Sequence, residues 1–275
     1  MSTRTTQPQR VARLRELLAR DEISVMPCCF DGLTAKLIER AGSIPPCSLT
    51  LLSFGEIARS ASTICEALRI IPCIGDGDTG YGNAMNVKRT VAAYAQAGMA
   101  GIMLEDQVSP KRCGHTAGKA VVSRSEAFAR VQAAVDARDE GGFDLVIMAR
   151  TDSRGTHSLA EAIERCREFA RLGADITFLE APQMASHLCY CQNNSRMGYK
   201  LAAYPITLLS AGIKAMEEAL RLLRCQTASE EGSEAARGEN ATPSAELNGL
   251  LCDFAHVKDV VGFTEYYAEE ARYKS

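Results

Sequence analysis

The chain has 275 residues, 46% hydrophobic and 24% charged, with no tryptophan and a formal net charge of −3. That size suits one large α/β domain or two small ones and allows a substantial core. The charge balance speaks against a nucleic-acid or anionic-membrane partner, and no apolar run reaches the roughly 18 residues of a membrane span.

The opening "MSTRTTQPQRVARLRELLAR" reads as a frayed end entering a first helix, in preference to a short organelle-targeting peptide. Short apolar runs then alternate with amphipathic stretches. "ISVMPCCF" (23–30) precedes the helical "DGLTAKLIERAG", and "LRIIPCIGDGDTG" (68–80) precedes "NVKRTVAAYAQAG". "AGIMLEDQ" (100–107) precedes "SRSEAFARVQAAVDARDEGG", and "FDLVIMARTD" (143–152) precedes "SLAEAIERCREFARLGA". "DITFLEAP" (175–182) follows, and later "YKLAAYPIT" (199–207) leads into "LLSAGIKAMEEALRLLRC". Buried runs alternating with helices predict parallel strands with helical crossovers. Scattered cysteines, several in apolar runs (Cys28, Cys29, Cys73), predict a reducing compartment, the cytoplasm in preference to an organelle.

Polar residues collect where each strand stops, the catalytic face of a (β/α) barrel. A doubly wound sheet also binds ligands beyond its strand ends, but carboxylates, Arg and Cys drawn from four strand ends favour the barrel. The count falls short of eight strands: six are clear, and "CSLTLLSF" (47–54) is doubtful. "ERAGSIPPCSLTLLSFGEIARSAS" leaves little room for strand, loop and helix, and "APQMASHLCYCQNNSRMGYK" has no periodicity. The expectation is therefore an α/β (β/α)8 TIM barrel, incomplete in two strand regions, over residues 1–225. A polar linker, read as disordered, follows at 226–246, and a C-terminal helical segment at 247–275.

In "GDGDTGYGN" (75–83), Asp76 and Asp78 lie two apart at a strand end, so extended backbone would point both the same way. With Glu105 and Asp106 from the next strand end, they suit a hard cation such as Mg²⁺. The plain alternative is a Gly/Asp turn with helix-capping acids. In "KRCGH" (111–115), Lys111, Arg112 and His115 would favour the Cys113 thiolate and bring its pKa toward neutrality, as suits a general acid or base. The alternative is a surface cysteine among solvated cations. Arg150 in "ARTD" suits a bidentate carboxylate clamp or a structural ion pair. Glu180 in "FLEAP" reads as an acid standing behind the metal's own ligands or as a plain helix cap. "HLCYCQ", with His187, Cys189 and Cys191, lacks the second ligand pair of a zinc site.

Together, "MPCCFDGLTAKLIERAG", "GDGDTGYGNAMNVKRTV", "AGIMLEDQVSPKRCGH", "VIMARTDSR", "GADITFLEAP", "GYKLAAYPITLLSA" and "VVGFTEYYAEEARY" resemble the isocitrate lyase / phosphoenolpyruvate mutase superfamily. Within it they look most like methylisocitrate lyases and plant-type carboxyvinyl-carboxyphosphonate phosphorylmutases. The resemblance implies a (β/α)8 barrel, Mg²⁺ (with Mn²⁺ as an alternative), a small carboxylic acid substrate, and homotetramers that exchange the last barrel helix. It implies Asp76 as metal ligand, Asp78 and Glu105 as acids holding the metal's waters, and Lys111, Cys113, Gly114 and His115 as the catalytic loop. Arg150 is then a substrate-binding residue and Glu180 another active-site acid. A loop cysteine marks the carbon–carbon lyase branch, which implies cleavage of a methylisocitrate-type 2-hydroxy acid to an α-keto acid and a carboxylate. The alternatives are a phosphorylmutase or oxaloacetate hydrolase activity, or an impaired subunit. Two family features have no counterpart: a Ser-Gly strand with a Gly-Leu-Pro-Asp-type loop, expected between Gly42 and Phe54, and an Asn-Met-x-Glu strand after Glu180.

Overall fold

The computed structural model of the protein describes residues 4–43, 46–47, 52–112, 118–180, 198–230 and 245–273, with 46–47 and 225–230 described by their backbone alone. The chain forms two compact units, residues 1–205 and 206–275.

The first unit is an alternation of helices and parallel strands: α1 (Gln7–Ala19), β1 (Ser24–Pro27), α2 (Gly32–Arg40), β2 (Pro46–Cys47), α3 (Phe54–Ala67), β3 (Ile74–Asp76), α4 (Ala84–Ala97), β4 (Gly101–Glu105), α5 (Arg124–Gly141), β5 (Val146–Thr151), α6 (Ser153–Thr156), α7 (Leu159–Arg171), β6 (Ile176–Leu179) and β7 (Leu201–Tyr204). One parallel ladder runs β2-β3-β4-β5-β6, and β1 pairs in parallel with β7. Among the described residues no pairing joins β1 to β2 or β6 to β7. All six clear strand expectations fall on strands.

The doubtful segment needs correction. Residues 46–67 do hold a strand and a helix, because the strand is only two residues long, pairing Pro46 with Ile74 and Cys47 with Gly75. It lies at the front edge of the run expected as a strand. Ser53 then caps α3: its hydroxyl accepts from the Glu56 backbone N–H, while the Glu56 carboxylate accepts from the Ser53 N–H at 2.7 Å. This reciprocal cap starts α3 sharply.

Similar signals start the other helices. The Asp31 carboxylate accepts from Thr34 N–H at 2.7 Å, and Asn83 accepts from Met85 and Asn86 N–H at 3.0 and 3.3 Å. Ser123 and Ser158 do the same for α5 and α7. Gly98 and Gly142 close α4 and α5 in the left-handed conformation.

Val11 and Leu14 of α1 are fully buried against Met26, Ile74, Val146 and Met148 from the strands and Ala100 just before β4. The buried Arg10 guanidinium donates to the carbonyls of Gly98, Cys65 and Leu68, and Gln7 donates to those of Met99 and Phe143. Several of these carbonyls immediately precede β4 and β5, so α1 covers the amino ends of the strands. The carboxyl ends are thereby left for the polar residues. On the outer side of β5, Val122, Ala127, Val131, Ala149 and Phe169 pack as a second apolar cluster.

The second unit contains α8 (Thr207–Glu230), α9 (Ala245–Leu250), α10 (Phe254–Val261) and α11 (Phe263–Ala271). Helix α8 continues to Glu230, into the stretch 226–246 read from composition as a linker; residues 231–244 lie outside the described residues. Among the described residues no helix is long and apolar enough to cross a membrane.

Candidate active site

Three neighbouring strand ends bring the acids together. Asp76 ends β3, Glu105 ends β4, and Arg150 lies in register with Glu105 near the end of β5. Asp78 reaches the same place by a different route from the one expected. Its φ is 49°, in the left-handed region, so it belongs to a turn and not to extended backbone. That turn is fixed by Asp78 N–H donating to Asp76 Oδ1 at 3.0 Å, Gly77 N–H to the Met103 carbonyl at 2.7 Å, and Glu105 N–H to the Asp78 carbonyl at 2.9 Å. A Cβ at Gly77 would sit 2.8 Å from the Met103 carbonyl oxygen, so only glycine admits this close approach.

The acids converge on one cation, Lys111. Its Nζ lies 3.0 Å from Asp76 Oδ2 and 3.9 Å from Glu105 Oε2, and it pairs with Asp78 Oδ1. Burial lowers the Lys111 pKa, but the charges of Asp76, Glu105 and Asp78 outweigh it and the net shift is upward. The ammonium is thus committed to the carboxylates. Cys113, Gly114 and His115 lie outside the described residues, as do His187, Cys189 and Cys191.

Arg150 stands beside this group. Its Nε lies 3.3 Å from Glu105 Oε2 and its Nη2 3.6 Å from Glu180 Oε1. Its strongest partner is one that sequence reasoning did not assign, Asp152, which accepts from Nε at 2.9 Å and Nη2 at 3.1 Å. Lys119 Nζ donates to the same Asp152 Oδ1 at 2.9 Å. Burial pushes the Asp152 carboxyl up, but Arg150 and Lys119 more than offset it, and the net shift is downward.

Other unassigned residues hold the frame. Tyr81 donates its hydroxyl to Asp78 Oδ2 at 3.0 Å, and Tyr94 to the Asp76 carbonyl at 2.6 Å. Asp106 does not join Glu105 at the cation. It turns into the protein, accepting from Asp152 N–H at 2.9 Å, Thr151 Oγ1 at 2.6 Å and Arg165 Nη1 at 3.0 Å. Asp152 stood in the quoted "ARTD" and Tyr81 in the glycine-rich motif, so both were visible. Nothing in the sequence marked Lys119 or Arg165, whose partners lie 33 and 59 residues away.

The electrostatic balance is uneven. Five carboxylates (Asp76, Asp78, Glu105, Asp152 and Glu180) face three cations (Lys111, Lys119 and Arg150), a formal shortfall of two positive charges. Both Glu105 carboxylate oxygens are buried and accept no hydrogen bond, whereas Asp78 Oδ1 has the Lys111 ammonium as its partner. Burial pushes Glu105 up to about 8, against the opposing charges of Arg150 and Lys111. Unbonded carboxylate oxygens of Glu105, in a site with more carboxylates than cations, fit a divalent, oxygen-seeking cation. Among the described residues no three His, Cys, Asp or Glu side chains are arranged as a metal-holding cluster, and Lys111 stands where the acids converge.

Over residues 48–219, well over half the chain, the sequence matches the family described as phosphoenolpyruvate phosphomutase. The chain belongs to the phosphoenolpyruvate mutase/isocitrate lyase superfamily. Among the relatives of this superfamily, 2,3-dimethylmalate lyase of Eubacterium barkeri is 41% identical over 205 residues, covering 70% of each chain. The chloroplastic carboxyvinyl-carboxyphosphonate phosphorylmutase of Arabidopsis thaliana is 32% identical, covering 96% of this chain and 84% of that protein. That alignment spans 303 positions, more than the chain has residues, so the superfamily relative carries residues without counterpart here. A crystal structure of 2,3-dimethylmalate lyase superposes with a TM-score of 0.79 at 27% identity, covering 98% of this chain and 96% of that one. Phosphonopyruvate hydrolase in complex with oxalate and Mg²⁺ shares the fold, with a TM-score of 0.77 at 21% identity, covering 98% and 99%. The α/β architecture is the TIM-barrel-like fold of the superfamily, and by that membership the protein is an enzyme of the lyase and mutase group.

Proposed function

We propose that the protein is a Mg²⁺-dependent carbon–carbon lyase that cleaves a 2-hydroxy di- or tricarboxylate of the methylisocitrate or dimethylmalate type. One observation carries the reading: Asp76, Asp78 and Glu105 converge on a single cation position beside Arg150. The names of the relatives support the substrate class, and the oxalate–Mg²⁺ complex of a neighbour with the same fold supports the ion.

Asp76, Asp78 and Glu105 would hold the divalent cation; when bound, it lowers the pKa of a substrate hydroxyl and polarises the incipient carbonyl. Arg150 binds the substrate carboxylate, held in orientation by Asp152. Loss of the hydroxyl proton to the acid cluster breaks the adjacent carbon–carbon bond, and the bonding pair passes to the departing carbon as a carboxylate enolate. The thiol of Cys113 then protonates the enolate carbon. Assembly as a homo-oligomer, expected as a tetramer, belongs to the same reading.

A second reading, an impaired subunit, draws on the residues that relatives have and this chain lacks. Steady-state assays with 2-methylisocitrate and 2,3-dimethylmalate, with and without Mg²⁺, separate the two. Turnover is expected to require the ion and to fall at least about 100-fold in Asp76→Asn and Cys113→Ala. Turnover of oxaloacetate or phosphonopyruvate alone would reassign the substrate. Absence of turnover together with no saturable heat from Mg²⁺ and oxalate would favour the impaired subunit.

A further inference from the structure

Arg150 has an electrostatic problem that its own partners create. Asp152 takes two of its nitrogens in a bidentate pair, while Glu105 and Glu180 stand 3.3 and 3.6 Å away. Left with these three acids alone, the guanidinium would present no net positive charge to an incoming anion. Lys119 offsets one of those three negative charges. Its ammonium reaches Asp152 Oδ1 at 2.9 Å, the same oxygen that Arg150 Nη2 approaches at 3.1 Å. The lysine side chain is 8% exposed and the aspartate side chain 0%, so the pair is shielded from solvent screening. A Cβ at Gly155 would lie 3.6 Å from both Lys119 Cε and Nζ, so the ammonium end of the side chain sits close over the short helix α6. The Asp152 backbone is held in place by its N–H, which donates to Asp106 Oδ1 at 2.9 Å.

We propose that Lys119 is a positioning residue for substrate: by serving as counter-ion to Asp152, it leaves the charge of Arg150 available to a ligand carboxylate. The proposal deepens the reading that Arg150 binds a carboxylate and rests on it. Lys119 acts through Asp152, so removing it weakens binding of anions in proportion to their charge. The chemical step is left largely alone. A purely structural lysine would instead lower stability and affect all ligands equally.

The test compares wild type, Lys119→Met and Lys119→Arg in the full chain with saturating Mg²⁺. Calorimetry measures binding of oxalate and of its singly charged amide, oxamate, and kinetics measure KM and kcat. In Lys119→Met, oxalate is expected to bind about 10-fold more weakly, oxamate about 3-fold, and KM to rise about 10-fold with kcat within about 3-fold. Lys119→Arg keeps the charge and is expected to recover most of the oxalate affinity. Thermal unfolding shows that each variant is folded. Equal losses for the two ligands, unchanged oxalate binding, or no recovery with arginine would overturn the proposal while leaving the functional reading in place. Wild type that binds neither anion would remove the carboxylate role of Arg150, and the role of Lys119 with it.

Discussion

Glu105 shows most directly how burial sets chemistry at a single residue. Its carboxylate is nearly sealed from solvent, and neither oxygen accepts a hydrogen bond. Burial raises its pKa to about 8 from 4.5, although Arg150 and Lys111 pull the other way. Between these values the folded state holds a proton that the unfolded chain has released. Stability of the metal-free protein therefore falls as pH rises from about 4.5 through 8. Glu105→Gln removes that dependence. The variant is expected to gain stability relative to wild type as pH rises from 5 to 8.5, by up to roughly 4 kcal/mol. Denaturant unfolding in the presence of a chelator checks it; a difference constant with pH would show that desolvation of Glu105 is not the cause. The buried Cys28 and Cys65 thiols obey the same physics, pushed up to about 12 and about 11. They are poor nucleophiles at neutral pH, which sets them apart from the role expected of Cys113.

At the scale of an element, α8 carries an apolar stripe that is exposed among the described residues. Leu209, Ile213, Met216, Leu220 and Leu223 follow alternating steps of four and three, and all are 44–60% exposed. That spacing is a seam for another helix, and a lone helix with such a stripe would lose apolar burial worth about 1.5–3 kcal/mol for each large side chain. A second copy of the chain is the partner that the homo-oligomer reading supplies. Leu220→Glu is expected to shift the sedimentation mass to a smaller species. An unchanged mass would show that this stripe is not the interface. The strand elements were legible because parallel, doubly covered strands read as continuous apolar runs. Strand β2 was not, since two residues leave no periodicity to detect.

For the whole molecule, the critical ties are long-range and buried. Arg165 of α7 is 3% exposed and holds Asp106, from just beyond β4, at 3.0 Å, while donating to the Val122 carbonyl ahead of α5. Asp106 in turn fixes the backbone of Asp152 beyond β5. One ion pair thus joins the ends of two strands to two helices. Such a pair is weak evidence of net stabilisation, but breaking it strands a buried carboxylate. Arg165→Met is expected to cost about 3–5 kcal/mol in denaturant unfolding, with part recovered in Arg165→Met/Asp106→Asn. A loss below about 1 kcal/mol would mean that water reaches Asp106 once the arginine is gone.

The sequence by itself determined the alternation of strands and helices, because apolar period and capping residues are local properties of the chain. It also placed Asp76, Glu105, Arg150 and Glu180 at strand ends, since parallel strands put their loops on one face. Only the tertiary structure decided which acid faces the cation. Glu105 turns toward Lys111 and its neighbour Asp106 turns into the protein, a choice made by Arg165 and Thr151 from other elements. Nor could sequence spacing join Lys119 to Asp152, or bring Asp78 round by a left-handed turn. Ion pairs in a protein interior are set by which charges the packed chain shuts in together, and that is fixed by the fold and not by distance along the sequence.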